Sequence, residues 1–175
     1  MAEVEIHTGH EGAADPFGQR VGIVVGVIGI LLSIVTILAH REHTAAVVHK
    51  TEANDQWAFY QAKKIREHNA QIGATLLNSL AADPAKVAAE SAKLLQESQR
   101  YTSDAETIKA IASALDLESQ HAERRASRFD LGEGFLELGL VMSSLYFLSR
   151  KRFFVLLGGV GAVAGTIIGV AGWFS

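Results

Sequence analysis

Two long stretches of this chain, residues 21–39 and 153–174, contain no charged residue. A third apolar stretch, 131–149, is interrupted by Glu133 and Glu137 alone. A bilayer core about 30 Å thick takes about 20 apolar residues of helix to cross. Backbone in hydrocarbon must satisfy its own hydrogen bonds, so such runs fold as helices. The chain therefore reads as all-α, with membrane helix one over 15–39, membrane helix two over 131–149 and membrane helix three over 153–175. The first run is not a cleaved leader. Its apolar part is too long, Glu3, Glu5, Glu11 and Asp15 precede it, and no small-residue cleavage site follows Ala39.

The remaining chain divides into a polar, glycine-rich tail over 1–14, expected to be flexible, and an extramembrane segment over 40–130. Asp15-Pro16 has the form of an N-cap followed by proline at the first helical position. No proline follows until Pro84, and residues 40–81 are good helix formers apart from Gly73. Membrane helix one is therefore expected to continue far past the bilayer. Asp83-Pro84 repeats the start signal, and Ser103-Asp104-Ala105-Glu106 has the form of a capping box. Asp130-Leu131-Gly132-Glu133 reads as a further cap and restart.

Lengths select a layout. At 1.5 Å per residue, 40–81 rises about 60 Å, while 84–100 and 103–128 cover about 25 Å and about 39 Å. One ascending leg and one descending leg in two pieces match. The expectation is an antiparallel helical hairpin whose descending leg breaks near 101–103. Its seam on the ascending leg is read as Ala58, Ala62, Ile65, Asn69, Ile72 and Leu76, at coiled-coil spacing with one polar residue. In the matched register Trp57 faces Ile108 and Tyr60 faces Ala105. Lys63 and Lys64 then lie near Asp104 and Glu106. The aromatic box of Trp57, Phe59, Tyr60 and Tyr101 is read as packing over the break, or as a site for a partner protein.

Several constellations bear on function. Gly18, Gly22 and Gly26, and likewise Gly161, Gly165 and Gly169, recur every four residues, a spacing that lets membrane helices pack closely. Such stripes serve packing within the chain, an oligomer, or a pore. Glu133 and Glu137 share a face of membrane helix two, and an intramembrane carboxylate is a candidate functional charge. Measured from Leu131, Glu137 lies about 10 Å along the helix, within reach of headgroup water. His7 and His10 lie in the tail, and His40, His43 and His49 follow membrane helix one. They lack the HExxH pattern of a zinc hydrolase, and no metal or other cofactor is expected.

With no cysteine, the chain has neither disulfides nor a catalytic thiol. It has no Ser-His-Asp context, and Gly158-Gly159-Val160-Gly161 lies inside an apolar run rather than between a strand and a helix. A net charge of −3 argues against nucleic acid. The short Arg150-Lys151-Arg152 loop favours a cytoplasmic placement for itself and the N-terminus, while Arg41, Arg124, Arg125 and Arg128 favour the reverse.

The stretch "HKTEANDQWAFYQAKKIREH", behind a first membrane helix and "DPFGQRVG", resembles the bacterial membrane family catalogued as domain of unknown function 4337. The resemblance covers most of the chain. It implies a bacterial inner-membrane protein and carries over no catalytic residue. The reading that results is a non-enzymatic, homo-oligomeric membrane protein, with the bilayer, itself and an unidentified protein as partners. A helical-bundle sensor and a small channel or transporter using Glu137 are the alternatives.

Overall fold

The computed structural model describes residues 15–174. Among them there are three helices and no strand: α1, Pro16–Leu80; α2, Pro84–Ser149; and α3, Arg152–Trp173. The all-α class is as expected. Each helix carries a stretch long and apolar enough to cross a membrane, which by length and composition makes this a multi-pass membrane protein. The tail over 1–14, with His7 and His10, lies outside the described residues.

The helix ends follow from local chemistry. Asp15 Oδ1 accepts the Gly18 N–H at 2.9 Å, filling one of the donors left open at the start of α1. Asp83 Oδ1 accepts the Ala85 N–H at 3.2 Å and starts α2 in the same way. Arg150, at φ 54°, closes α2 in the left-handed conformation, its N–H donating to the Tyr146 carbonyl at 2.7 Å.

The expected break at 101–103 is absent, and α2 also runs unbroken through Asp130. No glycine or proline stands between residues 85 and 131 to interrupt it. The hydroxyls that look like caps bond backwards instead. Thr102 Oγ1 donates to the Ser98 carbonyl at 3.0 Å, and Thr107 Oγ1 to the Ser103 carbonyl at 3.1 Å.

The chain forms two compact units, one combining residues up to His40 with Ala126–Ser175, the other being Arg41–Arg125. In the second unit the two legs meet along positions repeating every three and four residues. On α1 these include Ala46, Ala53, Glu67, Ala70 and Ala74; on α2, Ser91, Ser98, Ala105, Ala112 and Ser119. Every seventh residue of α2 over this span is serine or alanine, so the two backbones approach closely. The expected seam of Ala58, Ala62, Ile65, Asn69, Ile72 and Leu76 lies on the other side of α1, exposed. Packing has selected small side chains over the larger aliphatics, and Tyr60, Lys63 and the buried Glu67 share that face of α1.

In the first unit the core gathers Ile28, Val35 and Ala39 of α1, Phe129 and Leu136 of α2, and Ala162 of α3. Between α2 and α3 the contact is backbone on backbone. A Cβ at Gly139 would stand 2.8 Å from the Gly158 carbonyl oxygen, and one at Gly165 would stand 2.6 Å from that of Gly132. Only glycine allows this approach.

Candidate functional site

The aromatic box splits. Trp57 Nε1 donates to Asp116 Oδ2 at 2.9 Å, and the indole meets Tyr60 edge to face, with centroids 5.6 Å apart. Lys63 Nζ lies 5.4 Å from the centre of the Tyr101 ring while donating to Asp104 Oδ2 at 2.6 Å. Trp57, Tyr60 and Tyr101 thus sit half-buried along the line where the legs meet, whereas Phe59 is exposed. Since α2 has no break, the box covers no helix end; it ties two continuous legs together. Trp57 bonds Asp116, about two turns along from the expected Ile108, because its long indole reaches along the flank of the seam.

Three acidic residues complete this array: Asp104, expected beside Lys63 from the matched register, and Asp116 and Glu67, which sequence reasoning did not single out. Asp116 accepts from both Trp57 and Lys50, the latter at 2.8 Å. The Lys50 bond, then that of Trp57, lowers its carboxyl below the ordinary value. Lys63 lowers Asp104 in the same way, chiefly by hydrogen bonding. Glu67 is buried in the seam and lowered first by its bond from Lys64, at 2.6 Å. Of the two expected lysine contacts across the hairpin, Lys63 makes one, while Lys64 bonds within its own helix. Further ties join Gln71 to Ser98 at 3.1 Å, Asn78 to Ser91 at 2.9 Å and Arg125 to Glu42 at 3.2 Å. The signal that could have found them is a lysine or amide on one leg at the level of an Asp or Ser on the other.

His49 lies 3.6 Å from Glu52 and 3.5 Å from Glu118. Among the described residues, no group of three or more His, Asp or Glu side chains is placed to hold a metal ion.

The glycine stripes have different surroundings. Gly161, Gly165 and Gly169 all face neighbours within the chain: Phe135 and Gly139, Gly132 and Leu136, and Val35. On α1, Gly18 meets only its own cap residue Asp15, Gly22 has just the Phe147 ring edge at 4.0 Å, and Gly26 has nothing within 4 Å.

The two intramembrane carboxylates also differ. Glu133 Oε1 accepts from Thr36 Oγ1 at 2.8 Å. Glu137 is exposed and has no hydrogen-bond or ion-pair partner among the described residues. Its level is set by the glycines on either side. Gly132 faces Gly165 and Gly169, and Gly139 faces Gly158 and Ala162. Glu137 therefore stands level with the middle of α3, a 22-residue helix, and deeper than its distance from Leu131 alone had placed it.

At the Asp15 end of this unit, Tyr146 Oη donates to Asp15 Oδ2 at 3.0 Å, and Arg150 bonds the same oxygen. Phe17 packs on Tyr146 at 5.0 Å, under the Arg152 guanidinium at 4.8 Å. Aromatics and arginines gathered at one end of a helical bundle are a bilayer-interface pattern.

No curated protein and no solved structure matches the chain. Residues 17–175 match the family described as Domain of unknown function (DUF4337), so the match spans the hairpin and all three apolar runs, and the chain belongs to this family.

Proposed function

We propose that the protein is a non-enzymatic, homo-oligomeric scaffold of the bacterial inner membrane, whose helical hairpin receives a protein partner. The observation that supports this is the contrast between the backs of the two legs. The outward positions of α2 carry Lys93, Gln96, Arg100, Ser103 and Thr107, a face made for water. Those of α1 carry Ala58, Ala62, Ile65, Asn69, Ile72 and Leu76, uncharged over five turns, with Ile65 61% and Leu76 51% exposed. An apolar stripe at three-four spacing outside the bilayer fits an amphipathic partner helix. Lys50, Lys63 and Arg125 join leg to leg through Asp116, Asp104 and Glu42. The Arg150-Lys151-Arg152 loop favours a cytoplasmic N-terminus and an outward hairpin.

Two measurements test this. In mild detergent the mass should be a multiple of the 18.8 kDa chain; a single-chain mass at micromolar concentration overturns the reading. A photoreactive residue at Ile72, in native membranes, should crosslink to protein far more than one at Arg100. Equal yields overturn the hairpin's role.

The mid-depth position of Glu137 favours a second reading, a small cation or proton channel. Flux through vesicles carrying the protein, lost in Glu137→Gln, would support it; no flux removes it.

A further inference from the structure

Unit one has two sides. α3 covers one side of the α1–α2 pair, and the glycines there are filled by neighbours. On the other side α1 presents Gly22, Gly26, Gly29, Ser33 and Thr36, again at alternating spacings of four and three. A Cβ at Gly26 or Gly29 would meet nothing within 4 Å, and the same holds for Gly134 of α2. Glu137 lies one turn beyond Glu133, exposed on that same flank of α2.

We propose that this face docks the same face of a second copy inside the bilayer, with Glu137 of each copy at the level of the partner copy's α1 hydroxyls. The inference rests on the homo-oligomer reading above and names its surface.

The occupant follows from chemistry and symmetry. A carboxyl at mid-depth cannot be satisfied by hydrocarbon; it needs a polar partner. Copies inserted the same way are related by an axis along the membrane normal, so each residue meets its own level in the partner. Thr36 and Glu133 are bonded across antiparallel helices. One turn further on each brings α1 to Ser33 and α2 to Glu137, which therefore share a level. A two-fold axis then sets α1 of one copy against α2 of the other, and Glu137 against Ser33. Ser33 Oγ donates to its own Gly29 carbonyl at 2.9 Å, which leaves its lone pairs free to accept. Glycines on both sides allow the close approach that such a bond needs.

Gly26→Leu gives the decisive experiment, because the single chain has room for the added side chain. The full-length variant should keep the helicity and Tm of the parent while its association in detergent or lipid nanodiscs weakens by about tenfold. Glu137→Leu should weaken it by about threefold, the scale of one intramembrane hydrogen bond, and Glu137→Gln should restore it. As an independent check, differently tagged copies carrying Ser33→Cys and Gly134→Cys are co-expressed and oxidised. The chain has no other cysteine, so a mixed disulfide places these two faces together. An oligomer of unchanged strength in Gly26→Leu, with no mixed disulfide, overturns this face but leaves the oligomer standing. A parent chain that is monomeric overturns both.

Discussion

The two units solve one problem, bringing long helices together, by opposite means. In the first, α2 and α3 meet through Gly132, Gly139, Gly158 and Gly165, with backbone atoms as the contact surface. In the second, alanine and serine line the seam, and lysine–carboxylate, indole–carboxylate and amide–hydroxyl bonds cross it. The difference follows from the solvent. In lipid there is no hydrophobic drive between helices, so close packing must hold them. In water an alanine seam buries little apolar surface at about 25 cal/mol per Å², and polar ties along its flanks fix which residues face each other.

The comparison breaks most visibly at Gly165. A side chain there would run into the Gly132 carbonyl and the Leu136 side chain, 2.6 and 2.9 Å from the Cβ position. Gly165→Leu is expected to cost at least about 3 kcal/mol and to separate α3 from α2. Gly159→Leu, six residues earlier on the same helix with nothing within 4 Å of its Cβ, should leave thermal unfolding in detergent nearly unchanged. Equal effects at the two sites would show that the glycines do not hold the unit together.

A smaller loss is expected in the other unit. Ala112 is fully buried in the seam. Ala112→Leu should cost about 1–3 kcal/mol, since overpacking there pushes apart legs held at alanine distance. Helicity should persist while hairpin melting moves down. A rise in Tm would mean the seam has space, and that small residues there are incidental.

Helix starts were legible because their signals are local: Asp15-Pro16 and Asp83-Pro84 each act within one turn. The supposed start at Ser103-Asp104-Ala105-Glu106 has the form of a capping box and no proline, and there Ala105 is seam and Asp104 belongs to Lys63, so the tertiary contact outweighs the local pattern. On α2 the spacing also marks Ile108, Ile111, Ala112 and Leu115 as a stripe; Ile108, Ala112 and Leu115 turn inward, while Ile111 is exposed. On α1 the aliphatics Ile65, Ile72 and Leu76 drew the seam to the wrong face, because hydrophobic periodicity marks what avoids water, not which partner covers it. Both glycine stripes were visible as spacing. Which one α2 fills depends on the pairing of helices distant in sequence, and so does the depth of Glu137.

Within the aromatic box, Trp57 and Phe59 separate structure from surface. Trp57→Ala should destabilise the hairpin by about 2 kcal/mol, below the full value for a buried tryptophan because the indole is half-buried. Phe59→Ala should stay within about 0.5 kcal/mol. If Phe59 proved the costlier loss in the isolated, detergent-solubilised protein, the assignment of the two rings would be reversed.

The smallest effect concerns the polar ties, and its sign is fixed. Asp116, Asp104 and Glu67 have their carboxyl pKa values lowered in the folded chain by bonds from Lys50, Lys63 and Lys64. Groups lowered on folding stabilise fully above their unfolded pKa, about 4, and lose that contribution as pH falls through the folded values. Lys64 is shifted the opposite way, raised by Glu67; its contribution is present below about 10.4 and is lost as pH rises through the raised value. Hairpin stability should therefore be flat between about pH 5 and 9 and decline below about 4. These groups are screened by solvent, so the decline should be shallow. Trp57 reports it directly, because protonated Asp116 is a weaker acceptor for the indole. With Trp173→Phe removing the only other tryptophan, Trp57 emission should shift below pH 4 before helicity falls. Asp116→Asn should abolish that early shift, and its persistence would show that the indole responds to something other than this carboxylate.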